Sequence, residues 1–386
     1  MDVELRPVTS RRDLDAFVRF PWKINRGDPC WVPPLMKDRR GRLDLAVNPF
    51  WKKAERELWV AWRGKQPVGT IAAIHDRSLI GKLRQPTGFF GFFDCLDDPA
   101  AAAALLDQAS AWAAARGAQI LRGPYNPGGS DEPGVLVEGF HTRPAIMEGH
   151  NPPYYAALLE NAGFTKFEDI LARLGRRPPQ ARTFEEAVPE KLLRAAQIVR
   201  RRPDVTIRPI RLDAWDAEIR MAARLFNAAL EHLPDYLPVS EEEFLSMAAS
   251  FRPILDARMA LVAEVGGKPV GFTLALPDVN EALKHLNGRL GLPGLVRMWW
   301  HSRHLQRVSF KILIMSPEYH FRGIEAALVA AVARAIWDAG YTEIDMSLTG
   351  EENISSTLYQ ANLGFPVYRR YRMYERPILA AVEAAR

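Results

Sequence analysis

Two stretches of the chain share one pattern of apolar and polar positions. Residues 59–74, WVAWRGKQPVGTIAAI, place apolar β-formers on either side of a Gly/Lys turn, which predicts a strand, a tight turn and a second strand. Residues 261–276, LVAEVGGKPVGFTLAL, repeat this without a gap. Seven of the sixteen positions are identical (Val60/Val262, Ala61/Ala263, Gly64/Gly266, Pro67/Pro269, Val68/Val270, Gly69/Gly271 and Ala73/Ala275), all at an offset of 202. Further on, ENAGF at 160–164 matches ANLGF at 361–365, at an offset of 201. Two matches so far apart that keep one spacing point to an internal duplication.

Between these anchors each copy carries the 3.6-residue period of an amphipathic helix. Leu105, Ala109, Trp112, Ala113 and Arg116 form its stripe in the first, ending at Gly117. Ile324, Leu328, Ala331, Ala335 and Ile336 do so in the second, ending before Gly340. The two glycines lie 223 apart, so the second copy holds about 21 extra residues before its helix and the first about 22 after it. These insertions fall at 123–144 (GPYNPGGSDEPGVLVEGFHTRP) and within 279–306. GRRPP at 175–179 breaks both periodicities, giving units at 1–178 and 203–386 joined by a short basic helix over 179–202.

A length of 386 residues, 48% hydrophobic and 25% charged, suits two globular domains and excludes a disordered chain. No apolar run reaches the roughly 18 to 20 residues of a membrane span, and MDVELRPVTS is acidic where a leader would be apolar, so a cytoplasmic protein is expected. Cys30 and Cys95 have no CxxC or paired histidine near them, which indicates neither a disulfide framework nor a metal site. A net charge of +5 suits nucleic acid, an anionic bilayer or an acidic cosubstrate alike, but no nucleic-acid-binding signature is present.

Each copy thus reads strand, helices, hairpin, strand, helix, strand, helix, strand: an α/β arrangement with a mixed central sheet flanked by helices. In the second copy a strand over 308–315 runs through SPEYHFRGIEAAL into the long helix. This join resembles the acetyl-CoA-binding turn of the GNAT (acyl-CoA N-acyltransferase) superfamily, R/Q-x-x-G-x-G/A, and ENISSTLYQANLGF resembles its next helix. Over nearly the whole chain, DPCWVPPL, PVGTIAAI, GFFGFFDC, GPYNPGGSDEPGVLVEGF, NPPYYAALLENAGF, ALPDVNEALKHLNGRL and FRGIEAALV resemble a bacterial group of tandem GNAT proteins related to bacterial ceramide synthases. The resemblance implies two fused GNAT-like domains and an acyl-CoA cosubstrate held by the second, with no metal. Contacts would come from Ile314 and Met315 on the strand, from His320, Phe321, Arg322, Gly323 and Ile324 at the turn, and from Asn353.

Elementary physics fits that turn, since unpaired N–H groups and the positive dipole end of a helix favour a diphosphate. Two positions depart from the motif: His320 stands where Arg or Gln is usual and Glu325 where a small residue is. The first copy has Asp97, Asp98 and Pro99 at the corresponding helix start, acids that repel a diphosphate, so it is expected to have become scaffold and acceptor surface. Family members protonate the departing thiolate with a tyrosine. The register puts Gln360 at that position, leaving Tyr359 as the candidate.

N-acylation needs a base for the acceptor amine, and PDVNEALKH offers Asp278, Glu281 and His285, with Asn280 to orient the acceptor. Asp278 and Asn280 serve equally well as helix caps. The first insertion supplies Tyr125, Asn126, Asp131 and Glu132 as acceptor-lining residues, or is a surface excursion. Residues 282–317 contain no acid but hold Lys284, Arg289, Arg297, Arg303, Arg307 and Lys311 with Trp299 and Trp300. That composition suits an anionic membrane surface or an acyl chain, and equally a solvated helical hairpin. The expected activity is acyl transfer to a lipid-like or other amphipathic amine. Two further readings stay open, a non-catalytic acyl-CoA or lipid binder and a Fem-like aminoacyltransferase, and oligomeric state is not legible.

Overall fold

The computed structural model describes residues 2–127, 132–232, 236, 238–353 and 363–378. Their strands are β1 Glu4–Pro7, β2 Ala54–Arg63, β3 Gln66–Asp76, β4 Thr87–Cys95, β5 Ile120–Gly123, β6 Val135–Glu138 and β7 Thr165–Arg176 in the first half. The second half contributes β8 Val205–Pro209, β9 Ala260–Val265, β10 Lys268–Pro277, β11 Arg307–Met315, β12 Glu343–Gly350 and β13 Val367–Pro377. The duplicated pattern folds as the hairpins β2–β3 and β9–β10, so both predicted strand pairs form.

All thirteen strands belong to one sheet, in the order β1-β2-β3-β4-β5-β13-β7-β12-β11-β10-β9-β8, with β6 paired to β13 off this path. The last strand of each half has crossed over. β13 lies antiparallel beside β5 of the first half, and β7 lies antiparallel beside β12 of the second. The two exchanged strands also pair with each other, Val367 through Glu375 against Arg173 through Thr165. Each half therefore finishes its sheet with a strand of the other.

Four helical layers bury the sheet. The helix Pro99–Ala114 packs Leu105, Leu106 and Ala109 on Ile71, Ala73 and Phe90, and the helix Ile324–Asp338 packs Leu328 and Val332 on Ala263 and Val308. On the opposite face Phe17 and Val18 of the helix Arg11–Ile24 meet Val60 and Ile74. Ile219, Ala222 and Phe244 of the helices Trp215–Leu230 and Glu241–Phe251 meet Val262 and Phe272 there. Side-chain oxygens start several of these helices: Ser10 with Asp13 and Ser240 with Glu243 form capping boxes, and Asp98 caps before Pro99. The helix Ile324–Asp338 has no such cap. It begins at Gly323 with φ 79°, a left-handed conformation that glycine adopts without a Cβ penalty.

The basic segment between the halves folds as the helix Glu190–Arg200, and its Leu192, Ala196 and Val199 join the core beneath helix 324–338. Among the described residues no helix is long and apolar enough to cross a membrane.

Strand exchange couples the halves energetically. Tyr371, Met373 and Tyr374 of β13 are buried, Met373 and Tyr374 in first-half cores, and each such side chain contributes about 2 kcal/mol on burial. Deleting residues 367–386 should therefore abolish the near-ultraviolet circular dichroism of first-half tryptophans such as Trp59 and Trp112, although no first-half residue is removed. An unchanged first-half signal would contradict the coupling.

Candidate functional site

β11 and β12 run parallel and pair only from Arg307–Glu343 to Phe310–Met346. Beyond that β11 stays with β10 and β12 stays with β7, so a wedge opens between the two parallel strands. At its apex is a β-bulge: Leu274 opposes Ile312 and Ala275 opposes Phe310, leaving Lys311 as the extra residue. The bulge reverses side-chain parity. Val308 and Phe310 point into the layer of helix 324–338, whereas Ile312 and Ile314 point to the opposite layer. It also sets the amides: the Ser316 N–H donates to the Val270 carbonyl at 2.8 Å, so alternation turns Ile314 toward β10 and the N–H groups of Leu313 and Met315 into the wedge.

The wedge opens into a cavity of about 2460 Å³ that passes the helix start at Gly323 and reaches first-half residues such as Tyr125, Glu132 and Glu148. At the mouth are His320, Phe321, Gly323 and Glu325. The Glu325 carboxylate lies 2.9 Å from His320 Nδ1, paired with the imidazole across the turn. Ile324 is fully buried beneath the turn, Phe321 is 99% exposed at φ 61°, and the Arg322 guanidinium lies over the Tyr319 ring. Asn353 lines the far side, its N–H donating to the Gly350 carbonyl.

The first half has the same wedge, filled. β4 and β5 pair from Thr87–Ile120 to Phe89–Arg122 and then part. Into the gap runs the insertion: the Tyr125 N–H donates to the Phe90 carbonyl at 2.7 Å, and the Asn126 side-chain oxygen accepts from the Phe92 N–H at 3.0 Å. A Cβ at Gly91 would stand 2.2 Å from the Tyr125 carbonyl oxygen, so only glycine admits this approach. The neighbouring helix start is occupied as well, because Asp98 accepts from the Ala101 N–H and is ion-paired with Arg63 at 2.7 Å. Tyr125 and Asn126 thus plug one wedge, and Tyr125 also borders the cavity of the other. Glu132 holds Asn126 Nδ2 at 3.3 Å, and its N–H donates to Met147. Asp131 lies outside the described residues, as does Tyr359.

Residues 139–150 carry the insertion onward against the second half. Arg369 of β13, fully buried, clasps them: its guanidinium donates to the Thr142 carbonyl, to the Gly149 carbonyl at 2.9 Å and to Tyr371 Oη at 2.7 Å, and lies 3.3 Å from His150 Nδ1. His150 Nε2 meets Asp28 at 2.8 Å, and burial lowers the pKa of the imidazole, fitting a neutral ring that accepts from Arg369 and donates to Asp28. At Gly139 a Cβ would sit 2.2 Å from the Tyr368 carbonyl oxygen.

Asp278, Glu281 and Asn280 are assembled here as a clip on the same segment. Asp278, with no exposure, accepts from the Ile146 N–H at 3.1 Å and from the Asn280 N–H at 3.3 Å. Asn280 donates to the Pro144 carbonyl at 3.1 Å, and Glu281 accepts from Arg143 at 2.8 Å and from the Gln306 N–H at 3.0 Å. Of these three only Asn280 borders the cavity. His285 stacks on His301 with centroids 4.0 Å apart, and burial lowers its pKa. Trp299 lines the cavity, while Trp300 projects outward on the same helix, 59% exposed.

The segment so held delivers a carboxylate not singled out in the sequence, Glu148. The residue borders the cavity, while its side chain has no exposed surface and lies behind the wall near Lys311. One oxygen accepts from the Ala145 N–H at 2.9 Å and from Tyr371 Oη at 3.2 Å, with Tyr368 Oη at 3.4 Å, while Oε1 has no hydrogen-bond partner. Burial, reinforced by the nearby Asp345 carboxylate and opposed by Lys311 and Arg369, raises its pKa. Asp345 in turn accepts from Ser309 Oγ and from Tyr368 Oη at 3.0 Å and lies 3.7 Å from the Lys311 ammonium. The preceding Met147 is left-handed, φ 68°, a conformation costing about 1 to 2 kcal/mol in a non-glycine residue, and its carbonyl is fixed by Glu132. Burial, a raised pKa and an unbonded oxygen thus coincide at one carboxylate just behind the cavity wall.

No family model matches the chain. Among curated proteins it is 32% identical to "Protein YghO" of Escherichia coli (strain K12) over 380 residues, covering 97% of this chain and 95% of that protein. It is 29% identical to "Bacterial ceramide synthase" of Caulobacter vibrioides (strain NA1000 / CB15N) over 388 residues, 98% of each. Among solved structures it superposes on a tandem GNAT protein from the clavulanic acid biosynthesis pathway with a TM-score of 0.57 at 14% identity, covering 98% of this chain and all of that one. A GCN5-related N-acetyltransferase from Sphaerobacter thermophilus gives 0.53 at 15% identity, covering 98% of this chain and 97% of that one. The tandem GNAT fold expected from the sequence is the fold observed.

Burial pushes the Asp278 carboxyl up to about 7, against the opposing pull of Arg143 and Arg307. The native state then holds a proton that the unfolded chain releases near its ordinary value, so stability falls as pH rises from about 4 to about 7. Asp278→Asn keeps an oxygen for Ile146 and removes the ionisation. Unfolding titrations should show the variant gaining on wild type by up to about 4 kcal/mol between pH 4 and 8, and a pH-independent difference would contradict the assignment.

Proposed function

Because the chain belongs to the family of protein YghO and carries the GNAT acyltransferase fold in tandem, we propose that it transfers an acyl group, of long chain, from coenzyme A to the amine of a lipid-like acceptor such as a sphingoid base. The observation that carries this reading is the juxtaposition of Glu148, from the first half, with the open wedge of the second.

The diphosphate of the cosubstrate would lie at the uncapped start of helix 324–338, where unpaired N–H groups face the cavity mouth and Arg322 adds charge. The paired Glu325 is the unfavourable element there, and His320 offsets its charge when protonated. The pantetheine arm would run along the wedge edge of β11 and bring the thioester carbonyl to the N–H groups of Leu313 and Met315. Those donors suit the oxyanion that forms on attack, and the Lys311 ammonium adds positive potential at the apex. Glu148, whose side chain has no exposed surface, would take the proton of the attacking amine through the unbonded Oε1 once the substrate displaces the wall that covers it, and Tyr368 links it to Asp345 for the proton's departure. Collapse of the tetrahedral species expels the thiolate. A thiol of pKa near 8.5 leaves more readily than an amine of pKa near 10, so the step does not hinge on acid assistance.

Size and lining favour amphipathic substrates. Ligand pockets commonly span about 300 to 1,000 Å³, and this cavity exceeds that more than twofold with mostly apolar walls. Beside it the helix Leu292–Ser302 buries Gly294 alone and leaves Leu292 81%, Val296 66%, Trp299 53% and Trp300 59% exposed, with Arg289, Arg297 and Arg303 among them. That surface supports delivery of the substrate from an anionic bilayer, where indoles and guanidinium groups settle at the headgroups.

Incubating the purified protein with acyl-CoA of two to eighteen carbons and a panel of amines, with thiol release measured, should give turnover that favours long chains and amphipathic amines. Neither turnover nor coenzyme A binding would overturn the proposal, and tight binding without thiol release would identify a non-catalytic binder. Glu148→Gln should lower kcat by about 10²- to 10⁴-fold with binding of the thioester retained. Since the base must be unprotonated and its pKa is raised, kcat/KM of the wild type should climb with pH through a midpoint above the ordinary carboxylate value of about 4.3. A flat profile from pH 4 to 8 would exclude Glu148 from that role.

A further inference from the structure

The parity change at Lys311 has built a second feature into the cavity. With Ile312 and Ile314 turned toward the helices Trp215–Leu230 and Glu241–Phe251, the floor continues across the sheet in register. Ile312 opposes Leu274 and Ile314 opposes Phe272 on β10, and Leu274 opposes Ala260 on β9. The next step is Ile210, whose N–H donates to the Ala260 carbonyl. Every one of these residues lines the cavity, as do Ile219, Phe226, Phe244 and Met247 from the two helices above. Phe226, Met247, Leu274 and Ile312 remain partly exposed to the space between; Phe272, Ile314, Ile219 and Phe244 are nearly fully buried and Ala260 wholly so, which makes the passage past β10 a tight one, and Ile210 and Trp215, beyond β9, close it.

We infer that this arm, running from the wedge apex across β11, β10 and β9 to Trp215, is a binding channel for one linear alkyl chain, with Trp215 as its end-stop. The residues named along it are hydrocarbon and aromatic; Glu243, Ser246 and Ser250 of the helix Glu241–Phe251 also line the cavity, and Glu243 is held by Lys53 and by the Ser240 N–H. Three interstrand steps of about 4.8 Å make it about 14 Å long. A zigzag of about 1.5 Å bonds advances roughly 1.25 Å per carbon, so the arm takes about eleven carbons. Because it starts at the apex where Glu148 and the wedge amides converge, a chain in it has its functional head at the reacting centre. The occupant is the acyl tail of the donor or the tail of the amine. The chemistry is shared, and the inference rests on the reading of the chain as an acyltransferase for lipid-like substrates.

Two substitutions change the arm in opposite directions. Leu274→Trp fills it midway, and Trp215→Ala lengthens it. With wild type and both variants, kcat/KM is measured over acyl-CoA of two to eighteen carbons at fixed amine, and over n-alkylamines of four to eighteen carbons at fixed acyl-CoA. In one series, and only one, Leu274→Trp should lower kcat/KM for chains above about ten carbons at least tenfold, at about fourfold per excluded methylene, while chains of four or fewer stay within about twofold. Trp215→Ala should shift the optimum of the same series upward by two or more carbons. The series that responds identifies which tail occupies the arm. Equal losses at every length in both series, the mark of a merely destabilised fold, would overturn the channel. Titration calorimetry with dodecanoate and with dodecylamine separates the two ideas. Should no thiol be released under any condition, Leu274→Trp must still weaken wild-type binding of one amphiphile at least tenfold. Turnover combined with length-independent effects would leave the acyltransferase reading standing and remove the channel.

Discussion

The site depends on the exchange of β7 and β13 between the halves. Because β13 stands between β5 and β7, Arg369 emerges in the middle of the sheet with no exposure, where a guanidinium is tolerated only if its donors are satisfied. Residues 139–150 satisfy them, and Tyr371 and Tyr368 on the same strand grip Glu148. Asp278, Asn280 and Glu281 hold the other end of the segment. Two separate parts of the second half thereby fix a loop of the first, and the wedge acquires a carboxylate that its own half does not carry.

The duplication explains why two wedges exist, and the insertions explain why they differ. In the first half the chain after β5 folds back, and the Asn126 oxygen takes the Phe92 N–H in the gap where β4 and β5 part. In the second half the added residues lie before β11 and leave the space after it free. The insertion therefore closes the first wedge, and the segment that continues from it brings Glu148 to the edge of the second.

Much of the fold was legible because it is written in local periodicity and repetition: the hairpins at 59–74 and 261–276, both long helices with their glycine stops, and the helix start at Gly323. Strand exchange was not, since β7 and β13 have the same apolar alternation whichever neighbour they pair with. The bulge at Lys311 was equally hidden, because the four apolar residues that follow it, ILIM, carry no alternation that would reveal the change of parity. For the site, Asp278 and Glu281 were read as candidate bases and Asn280 as orienting the acceptor, whereas in space Asp278, Glu281 and Asn280 are bonded to Ile146, Arg143 and Pro144 respectively. Glu148 was overlooked although it stands in MEGHNPPYY, two residues before His150. The available signal was a lone acid next to a glycine and a histidine inside an otherwise apolar and proline-rich stretch, and its significance comes from Arg369, 221 residues away.

If the wedge of the second half and Glu148 of the first form one composite site, a crystal structure with a non-reactive thioether analogue of a long-chain acyl-CoA should show a diphosphate at the N–H groups of residues 324–326, the thioether carbon beside the amides of Leu313 and Met315, and Glu148 Oε1 within reach of the space an amine would occupy. An analogue bound between β4 and β5, or one whose sulfur lies remote from Glu148, would contradict it.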